Sequence, residues 1–540
     1  HHFGIQPALY ACTMSMSRAV HGMHTTRHGL DAIAKLHGLA GKVKGDILKL
    51  MMGVRILSEE ILHEAALYCR DDTDDTYDLF FKLYEHLTDA ELQLIDITIK
   101  LFTRPVLHVD IPRVEAELKR EMGGKADAVL KTGLSPIQLS SNLQFVTELE
   151  KHGVQVPVKI SLTTGKIMPA LAKNDLEFQK LGDHPKQAVR DLYNARLKVK
   201  STIGESRALR FLTAGSDGKC LPIYLGYCAA HTHRWGGGDK LNAQNLPRIS
   251  FDKAGNPVPG TGELRQSIQA PPGCEIVVVD SGQIEARGLA WQADEHVLMT
   301  EFATPGGDPY KRMASTAFNV PFDLVTKDQR FIGKICILGL GYGMGHVKFQ
   351  ITLEQGTMGP KVIIPLDEAK RLVTIYRTLH KAIPAYWRFL EDILKRMMNG
   401  MTGSWKCFEY GKGYIRMPSG LFLHYPDLRG HLVEGRNGEP VIQDMSYKGL
   451  YSRQKIYGGL LAENITQSVC RDIIAEQMLQ VADAGWRIVM TTHDEIACIA
   501  PKKQASRCFD EMMKIMKTTP AWAKGLVLNA EGGHAPNYIK

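Results

Sequence analysis

Two carboxylates that follow apolar runs are the residues of this chain best suited to chemistry. Asp280 ends the run 276–279 in EIVVVDSGQIEAR (275–287), whose mostly β-branched residues predict a buried strand. Asp494 stands between His493 and Glu495 in RIVMTTHDEIACI (487–499), with an apolar arm on each side. A carboxylate delivered to a strand end suits a divalent cation that prefers hard oxygen donors. Taken singly, Asp280 is as well explained as an acid capping the next helix. The second strand changes the balance, because two strands can present Asp280 and Asp494 side by side. Ser281 and Gly282 break the first run, and 283–293 reads as a helix.

The chain has 540 residues, which predicts several domains rather than one core. Apolar content of 44% is ordinary for a globular protein. No apolar run is long enough for a transmembrane helix, and no membrane partner is expected. The net charge of +8 is compatible with a polyanionic partner and equally with none. The ten Cys include no C-x-x-C pair, which fits reduced thiols in a cytosol and argues against structural zinc. The opening HHFGIQ has no Met and reads as a fragment or a trimmed chain. No internal repeat or low-complexity linker is present.

DSGQIEAR resembles motif A of the family A (Pol I type) DNA polymerases, usually DYSQIELR, and THDE resembles their motif C. Between them, Arg330 and Lys334 with Tyr342-Gly343 resemble motif B, R-x-x-x-K-x-x-x-F-G-x-x-Y-G. The resemblance covers nearly the whole chain and is greatest to the phage branch. It implies an α/β chain with the right-hand polymerase fold of palm, fingers and thumb, behind an N-terminal, truncated RNase H-like 3′–5′ exonuclease domain. The implied divisions are 1–95 (the C-terminal part of the exonuclease-like domain), 96–215 (polymerase lead-in and thumb), 216–292 (palm, motif A), 293–430 (fingers, motif B) and 431–540 (palm, motif C).

Residues 1–95 read as helical, with apolar spacing over 30–39 and 59–69 and a further helix opening at 68–72. Tyr68 and Asp72 lie four apart and resemble the Y-x-x-x-D motif of proofreading exonucleases; the alternative is an Asp-rich helix N-terminus of Asp71, Asp72, Asp74 and Asp75. The family's first two exonuclease motifs are not in this sequence, so exonuclease activity is not expected of it. Apolar periodicity predicts a helix around 114–122 and another over 185–203. The latter ends RLKVKST (196–202), where Arg196, Lys198 and Lys200 suit phosphate oxygens, as in the family thumb, or form a solvated basic face.

Within HTHRWGGGDKLNAQNLPR (231–248), three consecutive glycines predict a loop. It resembles the family element that follows the minor groove of primer–template, with Arg234 and Gln244 on DNA and Asn245 supporting the loop. His233 stands where the family has Gly, and Gly236 where it has Ser. By resemblance, Asp280, Asp494 and the backbone carbonyl of Ser281 are metal ligands for two Mg2+ ions, which Mn2+ can replace. Glu495 lies near the metals. Glu285 is the ribose gate that selects deoxynucleotides, and Gln283 lies on the dNTP side; Arg287 is expected to pair with an acid. Arg330 and Lys334 hold the triphosphate, and Lys334 is a candidate general acid. Leu338 replaces the family's aromatic residue facing the sugar, and Tyr342 stacks near the templating base. Four-residue steps advance about 40° on a helix, which puts Arg330, Lys334, Leu338 and Tyr342 on one broad face. Gly339, Gly341, Gly343 and Gly345 permit either bending or close packing.

A helical stretch over 367–399 is expected to break near Pro384, with Tyr376, Tyr386, Trp387 and Phe389 in the core. Residues 413–426 read as a hairpin. On the helix from 458 to 484, Glu463 and Gln467 share a face, and Gln467 matches a minor-groove reader. His493 is placed at the primer end. The implied activity is template-directed addition of dNTPs to a primer 3′-hydroxyl, by a monomer working on primer–template DNA in the cytoplasm of a phage-infected bacterium, with a processivity factor or helicase-primase as a further partner. A repair polymerase, a single-subunit RNA polymerase, an exonuclease and a DNA-binding relic are the other readings.

Overall fold

The computed structural model describes residues 7–24, 26–39, 47–160, 165–239, 241–252, 256–258, 260–434 and 440–539. The opening HHFGIQ, together with Thr25 and Lys240 of the stretches quoted above, lies outside them. In chain order the elements that matter here are α1 (Thr13–His21), α2 (Glu59–Tyr84), α3 (Asp89–Thr103), α4 (Ile111–Leu130), α5 (Gln187–Lys200), α6 (Ile203–Gly215), β1 (Cys274–Ser281), α7 (Ile284–Ala293), α8 (Pro309–Phe318), α9 (Lys327–Leu340), α10 (Leu366–Leu379) and α11 (Ala382–Met398). They continue with β2 (Gly403–Trp405), β3 (Phe408–Gly411), β4 (Tyr414–Arg416), β5 (Phe422–His424), α12 (Gly458–Asp483), β6 (Arg487–Thr492), β7 (Glu495–Pro501), α13 (Ala505–Lys517) and β8 (Ala530–Ala535).

One four-stranded antiparallel sheet, ordered β6-β7-β1-β8, carries the site. Its strand β1 buries all of 275–279, as the apolar run predicts. Helix α13 packs on β1 and β8, and α12 lies against β6 and β7. The main core runs from this sheet through α7, α9, α10 and α11, and takes in Tyr376 and Tyr386 with Trp387 and Phe389 at its edge, as expected. Residues 139–199 have a separate core built on Phe145, Phe178 and Val189. Strands β4 and β5 form the expected hairpin within a second four-stranded sheet.

Several boundaries differ from expectation. The helix expected to open near Tyr68 is the middle of α2, which starts at Glu59 under a Ser58 side-chain cap; the Asp residues are therefore interior, not N-terminal. The stretch 185–203 divides into α5 and α6 at Ser201-Thr202. The break expected near Pro384 falls at 380–381, and Pro384 sits in the first turn of α11, where its missing N–H costs nothing. Gly236–Gly237 is a short strand paired with Leu225–Gly226 rather than plain loop. Glycine is needed there, since a Cβ on Gly237 would stand 2.0 Å from Asn242 Oδ1.

Candidate active site

Asp280 and Asp494 meet at adjacent strand ends. In the β1–β7 register Asp280 is opposite Glu495, and across β1–β8 it is opposite Glu531. Asp494 occupies the two-residue turn between β6 and β7, which His493 enters with φ 57°. The Ser281 N–H donates to the Asp494 carbonyl at 3.0 Å, tying the turn to the end of β1. Burial and then Asp280 push the Asp494 carboxyl up to about 7. Two carboxylates crowded in a partly dry site resist double ionisation, which a divalent cation relieves. Ser281 is buried beside Ala530.

Glu495 is 1% exposed and accepts the Tyr538 hydroxyl. That phenol also accepts from Arg265 Nη2 at 2.8 Å, and the guanidinium lies 4.5 Å over the ring. Neither Tyr538 nor Arg265 carried a signal in the sequence, because chain distance hides the contact. Arg287 does not pair with an acid. It is buried against Phe302 and donates to the carbonyls of Gly282 (2.8 Å) and Val527 (3.0 Å), and burial lowers its pKa to about 10.

A cavity of about 340 Å³ opens beside the acids, walled by Arg234, Gln283, Glu285, Leu338, His493 and Asp494 among others. A larger one of about 620 Å³ lies between α1 and the β4–β5 hairpin, away from these carboxylates. Gln283 caps α7 with φ 58°, placing Glu285 in the first turn. Arg234 Nη1 donates to Glu285 Oε1 at 2.6 Å. The neighbours of Arg234 are fixed: the buried His233 ring lies 3.1 Å from the Phe422 carbonyl and 3.4 Å from Ser468 Oγ, and Trp235 Nε1 donates to Thr98 Oγ1 at 2.9 Å. His233 has φ 62°, a conformation that explains why Gly suits this position in the family. Thr232 Oγ1 donates to Gln467 Oε1 at 3.3 Å, and Gln467 Nε2 to Glu463 Oε1 at 3.2 Å, so the expected shared face is real. Gln244, expected on DNA, is buried and accepts the Gly237 N–H at 2.8 Å, supporting the loop, while Asn245, expected to support the loop, is exposed.

Helix α9 begins with a capping box of Thr326 and Gln329. Arg330 Nε donates to Asp308 Oδ2 at 2.6 Å, and its guanidinium lies 5.2 Å over Tyr310. Lys334 has no hydrogen bond or ion pair among the described residues. Gly333 permits contact with α8, since a Cβ there would stand 2.1 Å from the Tyr310 carbonyl. The single helical face holds for Arg330, Lys334 and Leu338 but not Tyr342, because α9 ends at Leu340. Trp387 Nε1 donates to the Gly341 carbonyl at 2.9 Å, and Leu289 presses on Gly341, so this glycine serves close packing. Burial, with Glu285 nearby, drives the Tyr342 phenol well above its ordinary pKa.

The remaining predicted residues lie elsewhere. Lys198 Nζ donates to the Gly124 carbonyl at 2.9 Å, and Lys200 is exposed at the end of α5. Arg196 is no phosphate ligand: it is buried under Phe145 and donates to the Leu139 carbonyl at 2.7 Å. Tyr68 and Asp72 sit half-buried on α2. Among the described residues no group of three or more His, Cys, Asp or Glu is assembled to hold a metal. At the sheet, two carboxylates are enough for Mg2+, which commonly completes its shell with substrate phosphates and water.

The fold is that of a right-hand polymerase domain. It is similar to the solved POL domain of Pol1 from M. smegmatis, a complex with DNA primer-template and dNTP, with a TM-score of 0.66 and 20% identity over 98% of this chain and 82% of that one. Residues 111–402, more than half of the chain, match the profile of DNA polymerase family A. The chain belongs to that family. It is 28% identical to the DNA polymerase of Bacillus phage SP02 over 70% of this chain and 61% of that protein. It is 25% identical to DNA polymerase I of Pseudomonas aeruginosa over 59% of this chain and 35% of that protein. The chain thus spans less than two thirds of either relative.

Proposed function

We propose that this chain is a template-directed DNA polymerase that adds dNTPs to a primer 3′-hydroxyl. The observation that carries the reading is the convergence of Asp280 and Asp494 on adjacent strand ends beside a cavity that Glu285 and α9 also wall. Asp280 and Asp494 would hold two Mg2+ ions, with the Ser281 carbonyl as a further donor; such ions make the primer hydroxyl a better nucleophile and neutralise the leaving pyrophosphate. The protein's own part is position and charge. Arg330 and Lys334 bind the triphosphate, and Lys334, which has no hydrogen bond or ion pair among the described residues, protonates the departing pyrophosphate. Arg330 must first leave Asp308. Glu285 fills the space a 2′-hydroxyl would need, with Gln283 beside it. Leu338 and Tyr342 bound the nucleotide's sugar and base, and His493 faces the primer end.

Arg234, Gln467, Lys198 and Lys200 contact primer–template; Gln244 acts by shaping the loop that carries Arg234. The separate core of 139–199 supports its reading as thumb, the helices α8 to α11 as fingers, and the β6-β7-β1-β8 sheet as palm. The likeness to a phage polymerase supports work in the cytoplasm of an infected bacterium.

The test is extension of a labelled primer on a defined template with Mg2+, comparing dNTPs, rNTPs and no nucleotide. Extension with dNTPs alone supports both the activity and the gate. Shortening without nucleotide points to an exonuclease, and salt-sensitive binding without extension to a DNA-binding relic.

A further inference from the structure

Glu285 is a flexible residue in a role that needs rigidity. Three side-chain torsions separate its carboxylate from the backbone, and ordering a Glu side chain is entropically costly. A carboxylate that swings aside excludes nothing. Only about a third of the Glu285 side chain is exposed, and its carboxylate is held by Arg234 at 2.6 Å. The tether is itself anchored on both sides of its own backbone. His233 is 1% exposed between the Phe422 carbonyl and Ser468, and Trp235 is 6% exposed and bonded to Thr98. Arg234 thus projects one charged arm from an immobile segment to the first turn of α7. Two acids oppose it there: Glu463 and Asp494 both feel the charge of Glu285 as repulsion. Lys348 and Arg234 both moderate Glu463, and Arg234 is the one that hydrogen-bonds Glu285.

We infer that Arg234 is a positioning residue for sugar selection, which holds the Glu285 carboxylate where it meets a 2′-hydroxyl. The inference rests on the reading of Glu285 as the gate. The planar guanidinium has five donors, so one bond to Glu285 leaves others for DNA.

The test is a double-mutant cycle on the ratio of kcat/KM for dNTP to that for the matching rNTP. Glu285→Ala should lower the ratio by about a hundredfold, the upper range for excluding a small group. Arg234→Ala should lower it by about tenfold, as expected for the loss of one coupled contact. Arg234→Lys, which keeps the charge but not the fork, should recover part of the loss. In the Glu285→Ala background, Arg234→Ala should change the ratio less than twofold, because nothing remains to position. A purely structural Arg234 would lower dNTP and rNTP use alike and leave the ratio unchanged. An unchanged ratio in Arg234→Ala, or full additivity in the double variant, overturns the inference while leaving the polymerase reading intact. No relaxation in Glu285→Ala overturns the gate instead.

Discussion

Helices α2 and α12 have the same length, 26 residues, and opposite surroundings. Of α2 only Leu79 and Leu83 are buried, whereas α12 buries seventeen positions, including the polar Thr466, Ser468, Arg471, Asp472 and Gln477. Both carry a short motif with a family resemblance, Tyr68 with Asp72 on the first and Gln467 on the second. The difference lies in what surrounds each motif. Around Gln467 the structure brings Thr232 and Glu463 into contact, from a segment more than two hundred residues away and from the same helix. Around Asp72 the described residues assemble no group of three or more metal-ligating side chains. A motif becomes a site when independent segments converge on it.

Each prediction that follows either breaks or sharpens this contrast. The largest effect is expected at the sheet: Asp280→Ala or Asp494→Ala should reduce primer extension about a thousandfold or more, with DNA binding retained, since each ~1.4 kcal/mol is tenfold in rate. Near-normal extension by either variant would remove the sheet from the comparison. Next is packing. A Cβ on Gly458 would stand 1.9 Å from the Trp387 carbonyl, whereas one on Gly29 meets nothing within 4 Å. Gly458→Ala should cost about 1–3 kcal/mol by overpacking, and Gly29→Ala under about 1 kcal/mol as a helix N-cap change; urea denaturation of the two variants checks the order.

A smaller effect is tied to pH. At the seam between α1 and β5, His21 and His37 are 2.9 Å apart, His424 hydrogen-bonds the Val20 carbonyl, and His24 stacks on His231. Burial lowers His21 to about 4 and His231 to about 3. The unfolded chain therefore binds more protons between about pH 6.5 and these values, so stability present above pH 6.5 is lost as pH falls. For His231 alone the slope is about 1.4 kcal/mol per pH unit. Hydrogen exchange at pH 5 should show α1 losing protection before β1 and β7; simultaneous loss would mean the seam is no weaker than the sheet. The smallest effect is expected at α2: Tyr68→Phe or Asp72→Ala should leave extension and stability within about 0.5 kcal/mol of the parent, as for most surface substitutions. A lost nuclease activity in either variant would erase the contrast.

What the sequence revealed of the site was its local part. The strand β1 and the turn at His493 between its two apolar arms follow from residue types within a few positions of one another, and both lie where those residues put them. Arg287 misled because an arginine near acids in sequence was given an acid in space, whereas burial gave it carbonyls. The burial of Gln244 was not legible because two adjacent amides offer no local sign of which one points inward. Tyr538, which reaches Glu495, and Arg265, which reaches Tyr538, were invisible because they come from opposite sides of Glu495 in the sequence.

Strand β8 gives the palm sheet a consequence for how the protein is made. The segment 530–535 pairs along β1, including the position of Asp280, across about two hundred and fifty residues of chain. A ribosome releases β1 long before β8 exists. Until β7 is made both edges of β1 are unpaired, and the edge facing β8 stays so until residues 530–535 follow. Such long-range pairing folds slowly and leaves edges open to aggregation. Synthesis interrupted before residue 530 therefore leaves β1 paired on its β7 side alone, with the edge beside Asp280 open.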